Sequence, residues 1–317
     1  MVSQATLTRG RLADHPLWSR ALSAPTLAGR LIQPVIVSAR VEDRERVVDA
    51  PWLERLSITE LVRDARAAAS AGIAGLLIFG MSDRKDEHAM LASERDHVVT
   101  RAIHAVKDAA PDLAVATDVC VCAYTPHGQC VLFHEGNADV AGTLTRLCEI
   151  AVVHADAGAD LLIPSGMLEG SVRAMRSALS GVAHGAVPVA AMVKLESKLY
   201  TSHRRAVEAV PVAERAVPLI SADDPDAGRA RAVREVAAGA DAVAVKPGLA
   251  ALDHVTRIAA TAQRPVLSFF TADERGLIAS NESLVDALAL EREGLGAARR
   301  AGADLVITYA ALVAAEA

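Results

Sequence analysis

Aromatic side chains are scarce: two Trp, three Tyr and four Phe in 317 residues. A core built without them must be filled by Ala, Val, Leu and Ile. Apolar residues make up 52% of the chain, which suits a large interior and excludes disorder. Positive charge is also in deficit, with 33 Lys and Arg against 39 Asp and Glu and a net charge of −6. With no basic run, neither nucleic acid nor an anionic membrane is an expected partner. No uninterrupted apolar run approaches the ~18–20 residues of a membrane span. The N-terminal stretch lacks a basic-then-apolar pattern, so export is not expected. Cysteine numbers only four, too few for a disulfide scaffold. Three of the four are neighbours, at Cys120, Cys122 and Cys130, which points to a reduced, cytoplasmic setting and a thiolate metal site.

Length leaves one or two domains open, since an α/β barrel of ~250 residues is a single unit. Residues 1–30 mix basic, small and apolar types without a clean period. They read as an N-terminal arm outside the core, with Leu17, Trp18 and Leu22 expected to pack on a neighbouring subunit. From Leu31 a unit recurs, a short apolar run followed by a longer stretch rich in Ala, Arg and Glu. The runs are 31–37, 72–80, 112–119, 159–166, 186–194, 240–248, 264–270 and 303–310. Short, continuously apolar, β-branched runs predict strands buried on both faces. Helical spacing fills the intervals. Leu61, Ala65, Ala68 and Ala69 share a face of a helix expected to begin near Thr59, and 140–157, 168–179, 227–238 and 284–301 have the same character. Three helices hand over to strands through one tripeptide: Gly158-Ala159-Asp160, Gly239-Ala240-Asp241 and Gly302-Ala303-Asp304. Glycine suits the position just past a helix end. Eight strands alternating with helices predict an α/β fold, a (β/α)8 TIM barrel over residues 31–317 with an extended N-terminal arm. A doubly wound open sheet is the alternative. Its dinucleotide-binding version lacks the glycine-rich fingerprint after the first strand.

A barrel carries its chemistry at the C-terminal ends of its strands. After the third run comes Asp118, then Cys120, Cys122 and Cys130 in the spacing Cys-x-Cys-x7-Cys. Three thiolates suit Zn²⁺, and three protein ligands leave a fourth position for water or substrate. A closed structural site with His127 as fourth ligand, or a set of buried thiols, is the plainer alternative. Cys148 stands apart in a helix and reads as a core residue. Lys194 and Lys246 each close an apolar run. A lysine there loses hydration, and its neutral amine becomes accessible for Schiff-base chemistry. One such lysine is equally a snorkelling rim residue, whereas two beside a thiolate cluster favour chemistry. Tyr124, Tyr200 and Tyr309 all fall at or just beyond strand ends. Arg204 and Arg215 follow Lys194 and are candidate clamps for a substrate carboxylate, although either alone reads as a solvated surface arginine.

Together these residues resemble the porphobilinogen synthase family, also called 5-aminolevulinate dehydratase, from His15-Pro16-Leu17 to Ile307-Thr308-Tyr309. The strongest block runs from Thr117 through Cys120 and Cys122 to His127-Gly128-Gln129-Cys130, and looks like the zinc-dependent branch. Val245-Lys246-Pro247-Gly248 matches the segment of the principal Schiff-base lysine, and Lys194 with Tyr200 matches the second lysine and its tyrosine. The resemblance implies a homo-oligomer, usually an octamer, that condenses two 5-aminolevulinate molecules into porphobilinogen. It implies Lys246 and Lys194 as imine formers with Asp118 beside them, and Cys120, Cys122 and Cys130 as zinc ligands. It further implies Arg204, Arg215, Tyr309, Ser165, Tyr200, Phe79 and Thr271 as substrate contacts.

Several positions depart from the family pattern. The lid segment after Tyr200 has His203 where the family has an aromatic, and Pro218-Leu219 replaces a Tyr-Gln pair. Ala272 replaces a carboxylate-binding serine beside Thr271. Met167-Leu168-Glu169-Gly170-Ser171 and the lid segment Lys85-Asp86-Glu87-His88-Ala89 are also altered. Imine lysines and cysteines are kept while carboxylate contacts drift. That leaves room for a divergent paralogue acting on a related amino ketone or making a different product. A lysine aldolase with structural zinc, or a non-enzymatic barrel, are further alternatives.

Overall fold

The computed structural model describes residues 10–280 and 284–316. Its strands are β1 (Leu31–Ser38), β2 (Arg44–Val47), β3 (Ala50–Leu56), β4 (Gly75–Met81), β5 (Ala114–Asp118) and β6 (Leu132–His134). They continue as β7 (Asn137–Asp139), β8 (Leu161–Ile163), β9 (Ala190–Lys194), β10 (Ala242–Lys246), β11 (Val266–Phe269) and β12 (Leu305–Ile307). Eight pair side by side in the order β8-β5-β4-β1-β12-β11-β10-β9, and a parallel bridge from Leu162 to Val189 joins the two ends. The result is a (β/α)8 barrel, and each of its strands falls within or overlaps one of the eight apolar runs. Every residue of β1 and of β10 is buried, as continuous apolar runs require.

Two hairpins were not legible as strands. β2 pairs antiparallel with β3, and β6 with β7. Three of the four β2 residues are exposed, so Arg-Glu-Arg-Val carries no apolar signal. The helix expected near Thr59 starts at Ile58, with Ser57 as its cap accepting the Glu60 N–H at 3.3 Å. Leu61, Ala65 and Ala68 face the core, whereas Ala69 is exposed.

The Gly-Ala-Asp repeat has a geometric reason. Gly158, Gly239 and Gly302 all hold positive φ, at 102°, 107° and 110°, where a Cβ would be strained. The aspartate then reaches sideways to the start of an adjacent strand. Asp160 accepts from the N–H of Val115 (2.7 Å), Asp241 from Val189 (3.0 Å) and Asp304 from Val266 (2.9 Å). Each unit thereby stitches the barrel floor.

The N-terminal segment docks on that floor, which corrects, for Trp18, the expectation that it packs on a neighbouring subunit. Trp18 is fully buried in its own chain, and its indole N–H donates to the Asp160 carbonyl at 2.9 Å. Leu17 and Leu22 pack against the same core. His15 faces the Asp160 carboxylate at 3.2 Å, and Arg11 faces Asp241 at 3.2 Å. Residues 1–9 of the expected arm lie outside the described residues. Trp18→Ala is expected to cost about 3–5 kcal/mol of unfolding free energy, the range for a large aromatic lost from a core. Urea denaturation measures it, and a loss below about 1 kcal/mol would mean that the segment does not seal the floor.

Candidate active site

The C-terminal ends of the barrel strands converge on one pocket lined by Phe79, Asp118, Ser165, Lys194, Tyr200, His203, Arg204, Lys246 and Thr271, among others. Parallel register sets its centre. Lys246 and Lys194 are directly opposed on β10 and β9. Tyr200 stands between them, its ring centroid 4.5 Å from Lys194 Nζ and 5.7 Å from Lys246 Nζ. The Tyr200 hydroxyl donates to the Leu195 carbonyl at 2.7 Å and lies 3.1 Å from that of Lys246. The tyrosine therefore braces both lysine strands. Phe269 closes the far side, with Lys246 Nζ 3.8 Å from its centroid.

Burial with like charge moves both amines toward neutrality. Burial first, then the neighbouring Lys194 charge, takes Lys246 down to about 7. Burial first, then Arg204, takes Lys194 down to about 8. Asp118 moves the other way, pushed up to about 6 by burial against a hydrogen bond from Ser165. Its Oδ1 is buried and has no hydrogen-bond partner among the described residues. These shifts are what proton-transfer and amine chemistry near neutral pH require.

The cysteine loop forms the pocket's other wall. The Sγ atoms of Cys120, Cys122 and Cys130 lie within 4.8 Å of one another, with Cys120 and Cys122 at 3.4 Å. Hydrogen bonds from Cys120 and Cys122, then the Arg204 charge, hold the Cys130 thiol well below the ordinary range. Arg204 donates to Cys130 Sγ at 3.6 Å and to the Ala209 carbonyl at 2.8 Å, while its Nε is buried without a partner among the described residues. Three converging sulfurs, one held toward thiolate and countered by a guanidinium, fit a thiophilic divalent metal. His127 is not in this group. Its Nδ1 accepts the Gln129 N–H at 3.0 Å, and its ring packs edge-on against Phe133 at 5.0 Å. The cluster thus offers three ligands from the described residues.

Gly128 and Gln129 tie this loop to the segment carrying the arginines. A Cβ on Gly128, at φ +64°, would meet the Val210 carbonyl oxygen at 2.5 Å. Gln129 donates to the Glu214 carbonyl (2.8 Å) and accepts from the Ala216 N–H (3.2 Å). Arg215 consequently lines a small adjoining cavity with Arg204, Lys194, Cys130 and Ser165.

Four placements go beyond the sequence expectation. Thr271 lines the pocket, but its hydroxyl also caps the helix Ala272–Ala279, accepting the Glu274 N–H at 3.0 Å. Glu274, unassigned by sequence, is a buried strap that accepts the N–H groups of Thr271 (2.6 Å), Gly248 (3.1 Å) and Leu249 (2.7 Å). Tyr309 does not line the lysine pocket. It lies behind His203, its hydroxyl 2.8 Å from His203 Nδ1, and borders a separate cavity with Gln33 and Trp52. His203, a changed lid position with no role assigned from sequence, lines the lysine pocket itself. Its alternation with Arg204 beyond a strand-end lysine was the available signal.

Fold and site together define a (β/α)8-barrel enzyme with its chemistry at the C-terminal mouth. The family profile described as delta-aminolevulinic acid dehydratase matches residues 9–317, and the chain belongs to that family. It is 35% identical to the delta-aminolevulinic acid dehydratase of Synechococcus elongatus over 86% of each chain. Against the Escherichia coli enzyme of the same name it is 32% identical over 96% of each. The delta-aminolevulinic acid dehydratase (porphobilinogen synthase) of Toxoplasma gondii, solved with its product porphobilinogen, superposes with a TM-score of 0.88. That pair shares 29% identity, covering 92% of this chain and 85% of the other.

Proposed function

We propose that this protein condenses two molecules of 5-aminolevulinate into porphobilinogen, releasing two molecules of water. The observation that carries the reading is the opposed pair Lys246 and Lys194, two buried amines shifted toward neutrality in one pocket. Each neutral amine attacks a substrate ketone carbon and expels its oxygen as water, leaving an imine. An imine acidifies the neighbouring C–H, and in this reading Asp118, whose Oδ1 has no partner among the described residues, takes that proton. The resulting enamine is the nucleophile, and the imine on the other lysine is the electrophile. Holding both on adjacent strands supplies much of the rate. Arg204 and Arg215 hold the carboxylate of the substrate on Lys194, while Phe79, Tyr200 and Phe269 exclude water. Cys120, Cys122 and Cys130 would hold zinc, which when bound supplies a Lewis-acidic position for the second substrate's amine.

A second reading, a different condensation product or a related amino ketone, is favoured by one observation. The Tyr309 hydroxyl is engaged by His203, and Ala272 offers no donor beside Thr271. The proposal extends to a homo-oligomer, octameric by resemblance, in a reducing cytoplasm. Among the described residues, no helix is long and apolar enough to cross a membrane. Mass spectrometry of products from zinc-loaded protein and 5-aminolevulinate decides between the readings. A porphobilinogen mass co-eluting with standard is the expected result. A different condensation mass selects the second reading, and no product overturns the first.

A further inference from the structure

The two halves of the pocket offer different groups to a ligand. The Lys194 half has two guanidiniums, Arg204 and Arg215. On the Lys246 side Phe269 lies against the amine with Phe79 beside it, and among the described residues lining the pocket the cations are the two lysines and Arg204. Of the polar groups there, the Thr271 hydroxyl accepts the Glu274 N–H as a helix cap and keeps one O–H to donate, while the next residue, Ala272, brings none. His203 adds a second side-chain donor. Its ring is fixed on one side by Phe79, edge-on at 4.4 Å, and on the other by the Tyr309 hydroxyl at 2.8 Å from Nδ1. Burial pushes the Tyr309 phenol up, so it keeps its proton, and the tautomer assigned to His203 has that phenol donate to Nδ1. A neutral imidazole that accepts at Nδ1 carries its own proton on Nε2.

We propose that His203 is a specificity-determining residue of the Lys246 half. In this assignment its Nε2–H holds the acceptor group at the far end of a ketone carried on Lys246, and Tyr309 acts through it as a positioning residue. The assignment rests on the lysine chemistry proposed above. Selection by His203 works through an oriented hydrogen bond set in an apolar wall. A ligand lacking the acceptor leaves that N–H unpaired and is disfavoured. The ligand class is a short 4-oxo acid or its close isostere.

Borohydride trapping on Lys246, located by peptide mass, tests this with levulinate and with 2-pentanone, the same methyl ketone without the carboxylate. His203→Leu keeps bulk between Tyr309 and the pocket but has no donor. It is expected to raise the half-saturating levulinate concentration by about tenfold or more, the scale of one hydrogen bond to a charged group, and to leave 2-pentanone unchanged. His203→Gln, which both accepts and donates, is expected to stay within about threefold of wild type. Tyr309→Phe is expected to weaken levulinate alone, by a few fold. Equal losses for both ketones in His203→Leu, or no loss, would overturn the assignment while leaving the lysine chemistry standing. A wild-type protein that traps neither ketone on Lys246 would sink both.

Discussion

Lys246→Met protein is expected to fold normally and to lose turnover by about 10⁴-fold or more, the scale on which removal of a covalent nucleophile acts. Methionine fills the same buried space without an amine, and it removes a charge that faces Lys194. Stability should therefore match or exceed that of wild type, which separates lost chemistry from lost folding. Borohydride trapping on the Lys246 peptide should vanish, and undiminished trapping elsewhere at wild-type rate would move the principal imine to another lysine. The pH dependence carries a sign. Imine formation needs the unprotonated amine, so trapping in wild type rises with pH and levels off above about 7 for Lys246 and about 8 for Lys194. Below that range it falls by about tenfold per pH unit as the lone pair is lost. A profile that kept climbing to pH 10 would show that the pocket does not lower these amines.

Cys122→Ala is expected to strip the metal. With three sulfurs within 4.8 Å and His127 outside the group, a single loss leaves two ligands. Affinity should fall by more than the roughly 10–100-fold that loss of an outer-shell partner costs. Metal content per chain after dialysis against a chelator reads this without any assay of activity. Wild type should retain close to one zinc and the variant close to none, and full retention would place the metal elsewhere. Trapping on Lys246 should survive, because that amine packs against the Phe269 ring at 3.8 Å and on Tyr200 rather than on the sulfurs' ligand set. Loss of trapping together with the metal would mean that the two halves do not form independently.

The barrel was legible because its strands are buried on both faces, which forces continuous apolar runs at regular spacing. Lys194, Lys246 and the cysteine spacing were legible because a charge or thiol cluster at the end of such a run has few structural uses. The β2–β3 hairpin was not, since its exposed strand is held by ion pairs such as Arg44 with Glu54 at 2.5 Å rather than by burial. The docking of Trp18 on Asp160 joins residues 142 apart, and no local pattern encodes that. The same holds for Arg204 against Cys130, 74 apart, and Tyr309 against His203, 106 apart. Sequence reading placed Tyr309 in the substrate pocket, and the intervening imidazole is what separates it.

The opposition of Lys246 and Lys194 across one strand pair turns the barrel into a ruler. Hydrogen-bonded strands are held about 4.8 Å apart by the peptide units themselves, whatever their side chains. Two ketone carbons tethered to equal-length arms on such strands start from that spacing, so backbone geometry bounds the distance between reacting partners before either arrives. A one-residue slip of β9 against β10 would turn one amine to the opposite face of the sheet. Insertions and deletions should thus be tolerated in the loops beyond these strands and rejected within them.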